Sequence, residues 1–149
     1  MSEWPELTFP IVKLGGTETP WDLKPLLYRG GAAIRVNRVA GVIAQGALGM
    51  PIPERLSLVS RMREELLGIL VGGGSKETVR NIIDSCRFFF SWADDTEQNL
   101  SLETARDVYL LWADYLLHRY RQVKPVTEHT IYDHAMRVAS VLDLLLERR

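Results

Sequence analysis

Cysteine is nearly absent from this sequence: Cys86 is the only one among 149 residues. A single thiol makes neither an internal disulfide nor a cysteine-rich zinc site, so the disulfide-stapled class of small secreted proteins is excluded. No run of about 18 apolar residues occurs, and the amino terminus lacks the basic and apolar segments of a signal peptide. We therefore expect a cytoplasmic protein in a reducing compartment, with no membrane partner.

Net charge is also small, at −1, but the charges are unevenly distributed. Between Lys24 and Arg63, seven basic residues stand against one acidic residue, a local balance of +6. Residues 75–149 carry ten basic and twelve acidic residues, a balance of −2. Such stretches are either solvated faces or the contact surface for a polyanionic partner, and composition leaves both open.

Side chains that perform catalysis are few. His129 and His134 are five residues apart, a spacing that does not stack them on one helix face as a zinc pair. Cys86 falls on an apolar stripe, which predicts a buried, unreactive thiol. Asp94 and Asp95 end a helix in a polar loop, and nothing in the sequence marks them as an acid–base pair. We expect no cofactor, no metal and no catalytic residue.

Proline and glycine concentrate in the first half of the chain, where six of the seven prolines lie within 53 residues. This composition predicts loops with short extended pieces. Residues 26–29 and 33–36 flank Gly30-Gly31 and form a candidate β-hairpin. Apolar residues at spacings of three and four then predict a helix over about 54–70, which Gly72-Gly73-Gly74 ends as a flexible joint.

Residues 75–149 show three helical patterns and no strand-like alternation. Ser75 is the predicted cap of the first, Ser101 of the second and Thr127 of the third. Three amphipathic helices can bury one another, so the sequence predicts an all-α fold with a small antiparallel helix bundle. We expect two units: an N-terminal appendage over residues 1–74 and the helical domain over 75–149.

Three motifs of the helical domain follow in a characteristic order. Ser75-Lys76-Glu77-Thr78-Val79 leads to Phe88-Phe89-Phe90-Ser91-Trp92, and a helix rich in tyrosine and leucine then ends in basic residues up to Lys124. Thr127-Glu128-His129-Thr130-Ile131 begins the last helix. This order resembles the SAM-like core-binding domain of the tyrosine recombinases, the phage-integrase family, over about 75 residues.

The resemblance implies a bundle that clamps duplex DNA together with a carboxyl-terminal catalytic domain, and it implies self-association on DNA. The family's catalytic domain supplies a His-x-x-Arg pair and a nucleophilic tyrosine. His134 and Arg137 match that spacing, but they lie in the apolar last helix, before a catalytic domain could begin. The chain ends at Arg149 directly after this helix, so we expect a non-catalytic, DNA-integration fragment without strand-cleaving activity.

Helix starts offer unpaired N–H groups and partial positive charge to phosphates. Ser75 and Thr127 open two such starts, and a basic corner connects the second and third helices of the domain. We expect the two starts to lie side by side and to form one DNA-facing edge. The DNA-binding candidates are Lys76, Thr78, Arg80, Asn81, Arg119, Arg121, Lys124, Thr127, His129 and Thr130.

Other interpretations stay open at this point. Ser75 and Thr127 serve equally well as simple helix caps, and a balance of −2 predicts weak DNA binding with a shallow salt dependence. The alternative function is a helical protein–protein interaction or assembly module, which a large exposed apolar patch would favour. A small enzyme would need a polar pocket with converging titratable groups.

Overall fold

The structure, a computed structural model, describes residues 7–14, 17–33, 49–122 and 128–147. Its elements are β1 (Thr8–Leu14), β2 (Thr17–Asp22), α1 (Leu56–Val71), α2 (Lys76–Asp95), α3 (Ala105–Gln122) and α4 (Glu128–Glu147). Three short 3-10 helices cover Lys24–Leu27, Gly31–Ala33 and Pro53–Arg55. The predicted helical class is confirmed, and no helix within the described ranges has the length and apolar character needed to cross a membrane.

The two strands form an antiparallel pair near the start of the chain. Thr8 pairs with Asp22 and Leu14 with Thr17, and the register is irregular between Phe9 and Val12. Pro10 falls inside that irregular stretch, where its missing N–H removes no regular ladder bond. The proline that suggested a loop is therefore compatible with a strand.

The hairpin predicted around Gly30-Gly31 is wrong. Lys24–Leu27 and Gly31–Ala33 are 3-10 helices, and residues 34–36 lie outside the described residues. Gly30 has a φ of +79°, and a Cβ on Gly31 would come within 1.7 Å of the Pro25 carbonyl oxygen. The two glycines are therefore needed for a tight turn between 3-10 helices, since only glycine fits both positions.

The helix predicted over about 54–70 is confirmed as α1. It buries one stripe and ends at the triple glycine, where Gly73 has a φ of +99° and the Gly74 N–H donates to the Ile69 carbonyl at 2.8 Å. Such a bond back to the last turn is typical of a glycine cap. The buried stripe consists of Leu58, Val59, Met62 and Leu66.

The predicted inward stripe of α2 is confirmed, and its aromatic residues pack against α3. The ring centroid of Phe89 lies 5.0 Å from that of Trp112, and one turn later Trp92 lies 5.8 Å from Tyr115. These contacts hold α3 against the second half of α2. The buried stripe of α2 is Val79, Ile82, Ile83, Cys86, Phe89 and Phe90.

The last helix, α4, runs against α2. His134 contacts both Ser85 and Phe88, while Arg137, one turn later in α4, reaches back to Ser85. A later residue of α4 therefore meets an earlier residue of α2. The two helices are therefore antiparallel.

One hydrophobic core includes residues on both sides of residue 74. Buried side chains before that point, such as Leu27 and Met62, belong to the same cluster as those of α2, α3 and α4. The boundary predicted at residue 74 thus separates segments that share a core.

A buried ion pair crosses the same boundary. Arg55 is 1% exposed and pairs with Asp94, while its Nη1 donates to the Leu26 carbonyl oxygen at 3.3 Å. Asp94 also accepts the Gly30 N–H at 2.7 Å. The sequence interpretation that left Asp94 in a polar loop is wrong: its carboxylate ties the N-terminal turns to the end of α2.

Candidate nucleic-acid interface

The start of α2 is exposed and is capped by its own serine. The Ser75 Oγ accepts the Thr78 N–H at 3.0 Å, and the two hydroxyl groups are 2.8 Å apart. This arrangement satisfies one of the unpaired donors of the first turn. Ser75 is therefore a cap, as predicted, and the adjacent Lys76 and Glu77 lie on the surface.

Four of the ten predicted DNA-binding residues lie together within the first two turns of α2. Lys76 and Arg80 are four residues apart and share one side of the helix, whereas Thr78 and Asn81 share another. The Arg80 Nη2 donates to the Glu77 Oε2 at 3.0 Å, so an acidic neighbour partly offsets its charge. Lys76 and Thr78 are exposed, and Arg80 and Asn81 are half-buried.

The other six candidates belong to the connection between α3 and α4. Arg119 and Arg121 are in the last turn of α3, and His129 and Thr130 are in the first turn of α4, but their side chains lie outside the described part of the chain. Lys124 and Thr127 lie outside the described residues altogether. Their DNA-binding role stays a prediction.

The single DNA-facing edge predicted from the helix starts is wrong. Because α4 runs against α2, its start lies near the end of α2, as the contacts of Ser85 and Phe88 with His134 and Arg137 require. His134 is six residues into α4 and meets Ser85 and Phe88, so the start of α4 lies beside the second half of α2, away from Lys76. The pattern of each helix identified its start but did not show how the helices are oriented against one another.

Arg61 is a cation that sequence reasoning did not assign to this end of the bundle. Its Nη2 donates to the Leu145 carbonyl oxygen at 2.9 Å, in the last turns of α4. A cation is favourable there because helix carboxyl ends carry partial negative charge. Because α2 and α4 are antiparallel, this region lies towards the start of α2. In the sequence, Arg61 could be noticed as one of the basic residues between Lys24 and Arg63 that give a balance of +6.

The α2–α4 contact contains a polar cluster formed by Ser85, His134 and Arg137. The Ser85 Oγ is 2.9 Å from the His134 Nδ1 and accepts from the Arg137 Nη1 at 3.4 Å. Burial lowers the pKa of His134, with a further lowering by Arg137, while Asp133 and Asp84 oppose the shift. Ser85 is fully buried, so this serine–histidine contact serves helix packing and reaches no substrate.

The prediction of a buried Cys86 is confirmed, and its lack of reactivity stays a prediction. The thiol is buried in the core, and burial raises its pKa to about 12. Across the part of the chain that the structure describes, no group of histidine, cysteine and acidic side chains is arranged to hold a metal ion.

Several large apolar side chains of α3 and α4 are exposed. Leu110, Leu111 and Leu117 are exposed by 60%, 52% and 54%, and Tyr132 and Met136 of α4 are exposed as well. Sequence reasoning predicted only the inward stripes of these helices. The sequence did contain an indication of these exposed leucines. One side of α3 is already filled by Trp112 and Leu116, so Leu110, Leu111 and Leu117 cannot all lie on that buried side.

The resemblance to tyrosine recombinases rests on the motifs of the sequence and stays a prediction. In comparisons with known proteins, no family model, no curated protein and no solved structure matches this chain.

Proposed function

We propose that this chain is the DNA-binding, amino-terminal part of a site-specific tyrosine recombinase of the phage-integrase type. Its SAM-like helical domain grips the duplex at the recombination site, and a catalytic domain outside this chain cleaves the strands. The observation that carries the proposal is the exposed start of α2, where Lys76, Thr78, Arg80 and Asn81 lie within two turns. Helix starts with cations and hydroxyl groups suit phosphate contacts.

The separation of the two candidate groups defines the way in which DNA is held. A duplex lying along α2 runs from the start of α2 towards the start of α4, which lies beside the second half of α2. The two groups then contact separate phosphates and contribute independently to binding, because distant sites without shared partners add. A shorter duplex reaches only one group.

Fluorescence anisotropy with a labelled random-sequence duplex tests the proposal at low and at moderate salt. We expect salt-dependent binding, with Lys76→Ala and Arg121→Ala each weakening it and each lowering the salt slope by about one. The double variant should show the sum of the two losses. Lys24→Ala is the matched control, since it removes one charge from a 3-10 helix that carries none of the proposed contacts.

Two outcomes would count against the proposal. Absence of binding at both salt concentrations would refute DNA recognition by this chain. Equal losses for Lys76→Ala and Lys24→Ala would show that only net charge matters and that the start of α2 is not a contact.

A helical interaction module is the second candidate function. The exposed leucines of α3 favour it, because large apolar side chains on a surface are the residues that protein–protein contacts bury. Its test is whether the chain associates with another polypeptide when DNA is absent.

A further inference from the structure

The exposed side of α3 is apolar in the middle and charged on either side. Leu110 is 60% exposed, and Arg106 and Asp114, one turn before and one turn after it, are exposed too. Residues spaced by four lie along one line of a helix. Neither charged side chain has a salt-bridge partner among the described residues. We refer to Arg106, Leu110, Asp114 and Leu117 as the α3 outer face.

A cavity of about 130 Å³ opens beside Leu110, between α3 and α4. Its walls include Ala139 and Leu142 of α4, and two charged side chains, Arg106 of α3 and Asp143 of α4, line it as well. Met136, one turn earlier in α4, is 44% exposed. The apolar part of the α3 outer face is thus continuous with a recess that can receive a side chain from outside.

The order of charges on this face is complementary to itself. When a second α3 is laid antiparallel on the first with the two Leu110 side chains in contact, each Arg106 meets Asp114 of the other copy. A two-fold axis through Leu110 therefore forms two ion pairs around a central leucine contact. Such an arrangement is the defining property of an isologous interface, in which the same patch serves both subunits.

We propose that the α3 outer face is an interface between two copies of this chain related by a two-fold axis. The apolar centre excludes water, and the two Arg106–Asp114 pairs select the antiparallel orientation over the parallel one, in which like charges would meet. If the second candidate function, a helical interaction module, is correct, its partner is another copy of the same chain. This proposal does not depend on DNA binding.

Sedimentation equilibrium of the full chain without DNA, over a series of protein concentrations, tests the interface. The wild-type mass should rise from one to two chains, and Leu110→Asp should raise the dissociation constant at least about tenfold, because it places a charge at the centre of the contact. Val71→Asp is the matched control: Val71 is 87% exposed at the end of α1, and its substitution should leave the dissociation constant unchanged.

A charge exchange gives the sharper test. Arg106→Asp alone and Asp114→Arg alone should each weaken the dimer, because each places like charges opposite each other twice. Their combination restores two opposite-charge pairs, so the dissociation constant should return to within about threefold of the wild-type value. Circular dichroism of each variant verifies that these surface substitutions leave the fold intact.

A chain that stays monomeric at every concentration overturns the proposal. A dimer that tolerates Leu110→Asp, or that the combined exchange does not restore, overturns it as well, since association would then use another surface. The DNA titration is independent of these results, so the two proposals fail separately.

Discussion

The ion pair between Arg55 and Asp94 should be the most sensitive polar contact of the fold. Asp94→Asn keeps the size of the side chain and an acceptor for the Gly30 N–H, but it leaves the Arg55 charge without a counter-ion at 1% exposure. Breaking a buried pair in this way costs about 3–5 kcal/mol. The Arg55 Nε has no acceptor among the described residues, so little remains to compensate the guanidinium.

Urea unfolding followed by tryptophan fluorescence and by circular dichroism measures this loss. For a chain of this size, about 3–5 kcal/mol corresponds to a fall in Tm of about 6–20 °C. The double variant Arg55→Met with Asp94→Asn has no buried charge, so it should be less destabilised than the sum of the single variants by at least about 1 kcal/mol. A loss below about 1 kcal/mol for Asp94→Asn alone would refute the burial of this pair.

Two further predictions concern titratable groups of the core and of the α2–α4 contact. Burial raises the pKa of Cys86 from 9.0 to about 12, which lowers its thiolate fraction about a thousandfold. A thiol reagent should therefore label the native protein far more slowly than the urea-unfolded chain. Equal labelling rates would contradict the burial of Cys86. The pKa of His134 is lowered on folding from its ordinary value of 6.5, so the protonated form favours the unfolded state and stability should be lost as the pH falls below about 6.5. His134→Gln should therefore show a smaller fall in Tm between pH 7 and pH 5 than the wild type, and an identical fall would contradict the assignment.

The helices of this fold follow from local sequence patterns. The inward stripe of α2, from Val79 to Phe90, was predictable because apolar spacings of three and four report directly on burial. The end of α1 was predictable for the same kind of reason, since a glycine at positive φ closes a helix locally. Ser75 as the cap of α2 needed only its position before an amphipathic stretch.

The contacts between helices depended on information that local patterns do not contain. No local pattern states how α4 is oriented against α2, and this orientation places the start of α4 beside the second half of α2. Asp94 gave no local sign of burial either, because its partner Arg55 is 39 residues away. The helix starts were therefore identified correctly as local features, while their predicted meeting was wrong.

The packing of α3 against α2 and α4 connects the two surfaces for which functions are proposed. The Phe89–Trp112 and Trp92–Tyr115 contacts hold one side of α3 against α2, and the Tyr109 hydroxyl donates to the Ala135 carbonyl oxygen of α4 at 3.0 Å. With these two sides occupied, no further described helix covers the side that carries Leu110. The same packing that separates the DNA-binding candidates thus leaves the α3 outer face uncovered by any described helix. A second copy of the chain can cover this face without changing the packing of the core.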